Sequence, residues 1–283
     1  TALFATAFAL AARRDLGSSM LPVRRAPARA SRLLVRPFGL AVHERRGAIA
    51  GWAGAAVVVM AMYGLLARQV VEALRDNPTL RELRGIGADV GVDQALAMFA
   101  LVLAMVMSGA AVQLAGGWRR AEDDGQVEIE LAGRGSRARW LGVQAVFVAA
   151  GLLVIGFAGA LSLGVSVAVS MGDPGIVART LVACAAYVPA AAVMLGLCVA
   201  AFGLAPRLQA AVWGLFAAAV VVGYLGPGIG LASWVVRLSP FAAVGKVPSE
   251  PLARGGAAAL VAAAVVLTAA GIAGFRRRDV PTG

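Results

Sequence analysis

The sequence predicts an all-α polytopic membrane protein with six transmembrane helices, preceded by the end of another span. Three observations lead there. Of 283 residues, 60% are apolar and 14% charged, against roughly 45–50% and about 25% in soluble domains. Most charges crowd into 13–46, 68–93, 119–139 and the last eight residues, and the mean hydropathy is +0.82. Between the clusters lie six tracts without a single Asp, Glu, Lys or Arg. A bilayer core of about 30 Å asks for roughly 20 apolar residues per helix.

Thr1–Ala12 is apolar and ends in Arg13-Arg14-Asp15, so its positive charges follow the apolar run, the reverse of a signal peptide. Twelve helical residues cover only about 18 Å. Residues 1–12 therefore read as the end of a preceding transmembrane helix in a longer chain. An interfacial helix at a natural N-terminus is the other reading. Residues 13–46 hold nine arginines interrupted by Pro22, Pro27 and Pro37. Within this basic linker, Ser31–Val42 mixes Leu33, Leu34, Val35, Phe38 and Leu40 with Arg32 and Arg36. That pattern suits a broken interfacial helix with its arginines toward lipid phosphate.

The six-span unit occupies 47–275. Its tracts are Gly47–Ala67, Ala95–Gly117, Leu141–Met171, about Thr180–Leu204, a fifth from near Leu208, and Gly255–Phe275. The third is long enough to tilt or protrude. Pro189 predicts a kink in the fourth. The fifth is expected to lose regularity at Gly226-Pro227-Gly228-Ile229-Gly230, a run that lacks the strand–turn–helix setting of a dinucleotide loop. Between the first two tracts, Arg68, Glu72, Arg75 and Asp76 alternate in sign at helical spacing before Pro78 and Gly85, Gly87 and Gly91 break the pattern. That segment reads as a solvated cap, ahead of a substrate-gathering surface. Residues 276–283 form a tail. Alternate connections hold eighteen and eight Arg plus Lys, the linker side being richer, which places both ends of the six-span unit in the cytoplasm.

The same composition excludes several chemistries. One histidine, His43, and two cysteines leave no all-protein zinc or haem site. Cys184 and Cys198 share one apolar tract about 21 Å apart along a helix, beyond disulfide reach. The one lysine, Lys246, stands between Gly245 and Val247, so the phosphate-binding loop of an ATPase is absent. A net charge of +11 would suggest nucleic acid in a soluble protein. Here cytoplasmic loop arginines explain it, and no nucleic-acid partner is expected.

Two groups of polar residues stand out. Glu122, Asp123, Asp124, Glu128 and Glu130 lie among Arg119, Arg120, Arg134, Arg137 and Arg139. Such a balanced cluster reads as a protein interface ahead of acid–base or divalent-metal chemistry. Inside the tracts, polarity is mild. Ser162, Ser166 and Ser170 recur every four residues on one face, and Tyr187 lies in the next tract. They either line a transport path or, slightly favoured, hydrogen-bond across helices or to their own carbonyls. Small-residue spacings at Gly47–Gly51 and Gly271–Gly274 offer close helix contact, a weak signal among 35 glycines. With no Asp, Glu, His, Lys or Arg in the tracts, a driving force would have to enter from elsewhere.

These residues resemble the type 2 permease class of ATP-binding-cassette exporters, which have six spans per half. One match is Gly125-Gln126-Val127-Glu128-Ile129-Glu130-Leu131-Ala132, followed by Ser136-Arg137-Ala138-Arg139-Trp140-Leu141. Family members show a similar acidic–Leu–Ala run, then Ser-Arg and an aromatic entering the third span. Gly133-Arg134-Gly135 departs from the small–Pro–Val step often found there. A second match is Leu238-Ser239-Pro240-Phe241 before the last span, and a third is the ending Gly271–Val280, echoed by Ala11–Gly17. The chain is similar to C-terminal halves of actinobacterial permeases labelled exporters of polyketide antibiotics or multiple drugs.

The resemblance implies a coupling element at 122–140 that presses on a separate ATPase through Glu122, Glu128, Glu130, Arg134 and Arg137. It implies no cofactor on this chain, because ATP and magnesium would sit on the ATPase subunits. The other implied partners are a second six-span permease half, the lipid bilayer of a bacterial plasma membrane and an amphiphilic cargo. The expected function is ATP-driven efflux of amphiphilic drugs or antibiotics. A lipid or glycolipid exporter is the alternative within transport, and a non-transporting scaffold or sensor the alternative outside it.

Overall fold

The computed structural model describes residues 37–77, 91–125, 127–128 and 136–278, with side chains from Arg45 onward. Residues 1–12, the linker up to 36, Glu130, Arg134 and the tail beyond 278 lie outside the described residues. Within them every regular element is a helix. The order is α1 Pro37–Leu65, α2 Ala67–Asp76, α3 Val92–Asp123, α4 Arg137–Met171, α5 Ile176–Ala186, α6 Val188–Leu204, α7 Ala211–Val220, α8 Ser233–Leu238 and α9 Arg254–Arg277.

Among the described residues, five stretches are long and apolar enough to cross a bilayer: Arg45–Leu65, Val92–Asp123, Arg137–Met171, Ile176–Leu204 and Arg254–Arg277. The expected six are not all of spanning length among the described residues. The fifth tract is a shorter apolar helix, Ala211–Leu225, of about 22 Å. It changes hand-hold at Val221, five residues before the glycine run, where a π turn spans Val221–Leu225. The Ser239 hydroxyl donates to the Ala219 carbonyl at 2.8 Å, and Gly226 N–H reaches back five residues to Val221 at 3.1 Å. A side chain inserted at the carbonyl ladder is a recognised cause of such a break.

Local chemistry explains the other boundaries. Pro37 opens α1, where its missing N–H is no loss. His43–Arg46 are thus already helical. At the start of α4 the Ser136 side chain accepts from Arg139 N–H at 3.3 Å, and Gly172 ends it at φ +74°, a conformation easiest for glycine. The fourth tract breaks at Tyr187, between α5 and α6, because Pro189 lacks an N–H and crowds the preceding turn. Helix α4, with 35 residues, is about 52 Å long. Even at a tilt of about 40° it would exceed the hydrocarbon thickness, so a turn or more projects.

Helix α3 is the axis of the bundle. Its apolar stretch is mostly buried, whereas those of α1 and α9 are mostly exposed. Phe99, Leu103, Met107 and Trp118 point from it into the core. Helices α1 and α4 form one close pair. A Cβ on Gly64 would lie 2.5 Å from the Ser166 Cβ, and one on Gly151 would lie 2.7 Å from Ile49. Helices α6 and α9 form a second pair in which backbones touch: a Cβ on Gly203 would fall 1.9 Å from the Gly271 carbonyl oxygen. In a membrane such small residues let dispersion and close packing replace the hydrophobic drive that water supplies. The spacing at Gly271–Gly274 is therefore used, whereas nothing lies within 4 Å of a Cβ built on Gly47 or Gly51.

Candidate functional site

The Arg-rich end of the bundle brings four helices onto one aromatic cluster. Trp118 closes α3, Trp140 opens α4, Phe202 closes α6 and Phe275 closes α9. Phe202 lies 5.9 Å from Trp118, 6.0 Å from Trp140 and 5.3 Å from Phe275, and Trp140 lies 5.8 Å from Phe275. Tilted and edge-on contacts at these separations suit the ring quadrupoles. The sequence places an arginine beside three of these rings, at Trp118-Arg119, Arg139-Trp140 and Phe275-Arg276. That is the aromatic-belt pattern of membrane interfaces.

Arg278 locks this cluster to the acidic group. Its guanidinium sits 5.6 Å from the Phe202 centroid and 5.5 Å from that of Phe275. It donates to the Phe202 carbonyl at 2.8 Å and ion-pairs with Glu122. Arg137 in turn donates to the carbonyl of Arg278. Arg119 adds contacts to Glu122 at 3.3 Å and Asp123 at 3.0 Å. The Glu122 side chain is 5% exposed and that of Arg278 17%. Burial, then the neighbouring Arg119, lower the pKa of Arg278 from the ordinary guanidinium value. Guanidinium is so weak an acid that it stays charged all the same. The result is a clamp: the end of α3 is tied to α6 and α9, and the start of α4 is tied to the end of α9.

The sequence-derived residues divide on this geometry. Glu122 and Arg137 sit in the clamp. Glu128 lies in a short helical step beside buried Val127. Glu130 and Arg134 lie outside the described residues. The serine face of α4 turns toward α1 and α2: Ser162 donates to the Val57 carbonyl of α1 at 2.8 Å, Ser166 packs on Gly64 of α1, and the Ser170 carbonyl accepts from Arg68 of α2 at 2.7 Å. Tyr187 is not brought to that stripe. It donates to the Gly245 carbonyl at 2.8 Å and lines a cavity beside α3. Arg278, Phe202, Trp118 and Phe275 are the residues that spacing alone did not assemble, because they come from the ends of three helices, α3, α6 and α9.

Comparison with known proteins follows the same lines. The family described as the multidrug efflux system permease Rv1217c, C-terminal domain, matches residues 34–276. The multidrug efflux system permease protein Rv1217c of Mycobacterium tuberculosis is 31% identical over 281 residues, covering 97% of this chain and 50% of that protein. The chain therefore spans about half the length of the curated relative it matches. The expected resemblance to the C-terminal half of an exporter permease is borne out. With five helices fit to cross a bilayer and this match along most of its length, the chain is a multi-pass membrane protein that belongs to the family of multidrug efflux permease C-terminal domains.

Proposed function

We propose that the chain is one half of a permease that exports amphiphilic drugs or antibiotics, driven by ATP hydrolysis on a separate subunit. The observation that carries this reading is the clamp. A push delivered to the segment after Glu122 would reach α9 and α6 through Arg278 and α4 through Arg137 without passing through lipid-exposed side chains. The permease then needs no carboxylate or histidine in the middle of its spans, because its energy arrives as contact at one end. The ATPase would bear on the segment carrying Glu128, Glu130 and Arg134, with Glu122 and Arg137 passing the push inward, and a second permease half would complete the cargo path.

The test uses inside-out vesicles holding the complete permease and its ATPase, with uptake of a labelled amphiphile followed. Uptake is expected to persist with an uncoupler and to stop when the ATPase's phosphate-loop lysine is replaced. The reverse pattern would overturn the reading. Orientation has its own check. With Cys184 and Cys198 replaced, a cysteine at exposed Leu252 is expected to react with an impermeant thiol reagent on intact cells. One at exposed Arg139 is expected to react only after lysis; labelling of Arg139→Cys from outside would invert the topology.

A further inference from the structure

At the end of the bundle opposite the clamp, a cavity of about 520 Å³ opens beside the break between α7 and α8. That volume lies in the range of pockets for drug-sized ligands, roughly 300–1,000 Å³. Met98 and Leu101 of α3 form one wall and Phe241 another, while Arg237, Lys246 and Glu250 stand among its lining residues. Leu101 is nine residues into α3, so the cavity follows that helix inward for about 14 Å.

Two independent observations mark it as a binding site. The first is the backbone. From Gly226 to Ala232 the chain is non-helical, and Pro227 and Leu231 of that stretch line the cavity. Backbone outside a helix leaves N–H and C=O groups that a wet cavity or a polar ligand can satisfy. The second is charge. Lys246 pairs with Glu250 at 4.0 Å, and Arg237 makes no ion pair among the described residues. Two cations against one anion leave the lining net positive beside an apolar interior. A neighbouring polar cavity has the opposite balance, with Asp93 and Asp173 holding Arg179 at 3.4 and 2.9 Å. An anionic head is thereby steered away from the second cavity and toward Arg237 and Lys246.

We propose that the larger cavity binds an amphiphile with one anionic head group, a carboxylate or a phosphate. The head sits at Arg237 and Lys246 and the apolar body lies along Met98, Leu101 and Phe241. As a station for cargo the site rests on the export reading; as a binding site it needs neither nucleotide nor transport.

The experiment uses the complete permease with its ATPase in phosphatidylcholine nanodiscs without nucleotide. The probe is dansyl-labelled undecanoic acid, with its methyl ester as the uncharged control and empty nanodiscs subtracted. The acid is expected to bind about tenfold more tightly than the ester, the scale of a charge-assisted hydrogen bond. The double variant Arg237→Gln/Lys246→Gln is expected to erase that preference while eluting as a monodisperse complex. Met98→Trp, which fills the interior, is expected to weaken acid and ester alike. Equal binding of acid and ester by the native protein, or a preference that survives the double variant, would overturn the proposal. Adding phosphatidylglycerol separates the sources. Displacement of the probe assigns the site to a bilayer lipid, and retention assigns it to a soluble amphiphile; either supports an anionic amphiphile site. Selective binding without ATP-driven uptake would remove the export reading and leave the site, and uptake without selective binding would do the reverse.

Discussion

Glu122→Ala is expected to destabilise the permease by about 3 kcal/mol and to leave ATP hydrolysis running with little export. The size follows from what remains behind. Glu122 is nearly fully buried and Arg278 largely so, so removing the carboxylate strands a guanidinium in a low-dielectric site. Its bond to the Phe202 carbonyl and its place over two rings soften the loss, which sets the effect at the lower end for a broken buried pair. Arg278→Ala removes the same pair and the ring contacts, leaving Glu122 with the half-exposed Arg119. Unfolding free energies of both single variants and the double variant in mixed micelles are expected to show coupling of about 1 kcal/mol or more. Additive losses would mean that the two groups do not act together. If both variants export normally per ATP hydrolysed, the clamp does not transmit force.

The second large effect concerns the seam between α6 and α9. Gly271→Ala places a methyl group 2.3 Å from the Val199 carbonyl oxygen and 2.5 Å from its carbon. Both are backbone atoms, so no rotamer change relieves the overlap and the helices must move apart. Overpacking of this kind costs about 1–3 kcal/mol, occasionally more, and the upper part of that range is expected here. The identical change at Gly51 meets nothing within 4 Å and is expected to fall within about 0.5 kcal/mol of the native protein. Thermal unfolding of the two purified variants, read side by side, makes the comparison. Equal midpoints would show that the seam gives way freely.

Much of the bundle was legible because the bilayer imposes long charge-free runs, and charge is easy to see in a sequence. The first three tracts and the last each became one helix of spanning length, and the fourth reached that length as two helices broken at Tyr187, because the missing N–H of Pro189 acts locally. The fifth tract was harder to read. Its regularity depends on Ser239, twenty residues away from the carbonyl it meets, and no pattern within Leu208–Gly230 announces that contact. The acidic group at 122–130 was visible as a charge cluster, whereas its partner Arg278 was hidden among three consecutive arginines whose directions only packing decides. The serine repeat shows the converse limit. A period of four identifies a face of α4 but not the neighbours it meets, which are α1 and the start of α2.

The seam between α6 and α9 also has a mechanical meaning. Where backbone rests on backbone there are no long side chains to flex, so the contact is stiff and holds or opens as a whole. On the other side of α3 the contact is softer: a Cβ on Gly109 would sit at ordinary distance, 3.6 Å, from the Phe216 ring of α7, and that ring touches Trp213 and Phe241 edge-on. Rings meeting edge-on tolerate small sliding displacements, the shear mode of packed helices. Compliance is therefore concentrated in α7 and α8, the segment already interrupted by its π turn. A load applied at the Arg-rich end would leave α6 and α9 moving as one plate, with α7 and α8 as the flexure along its edge.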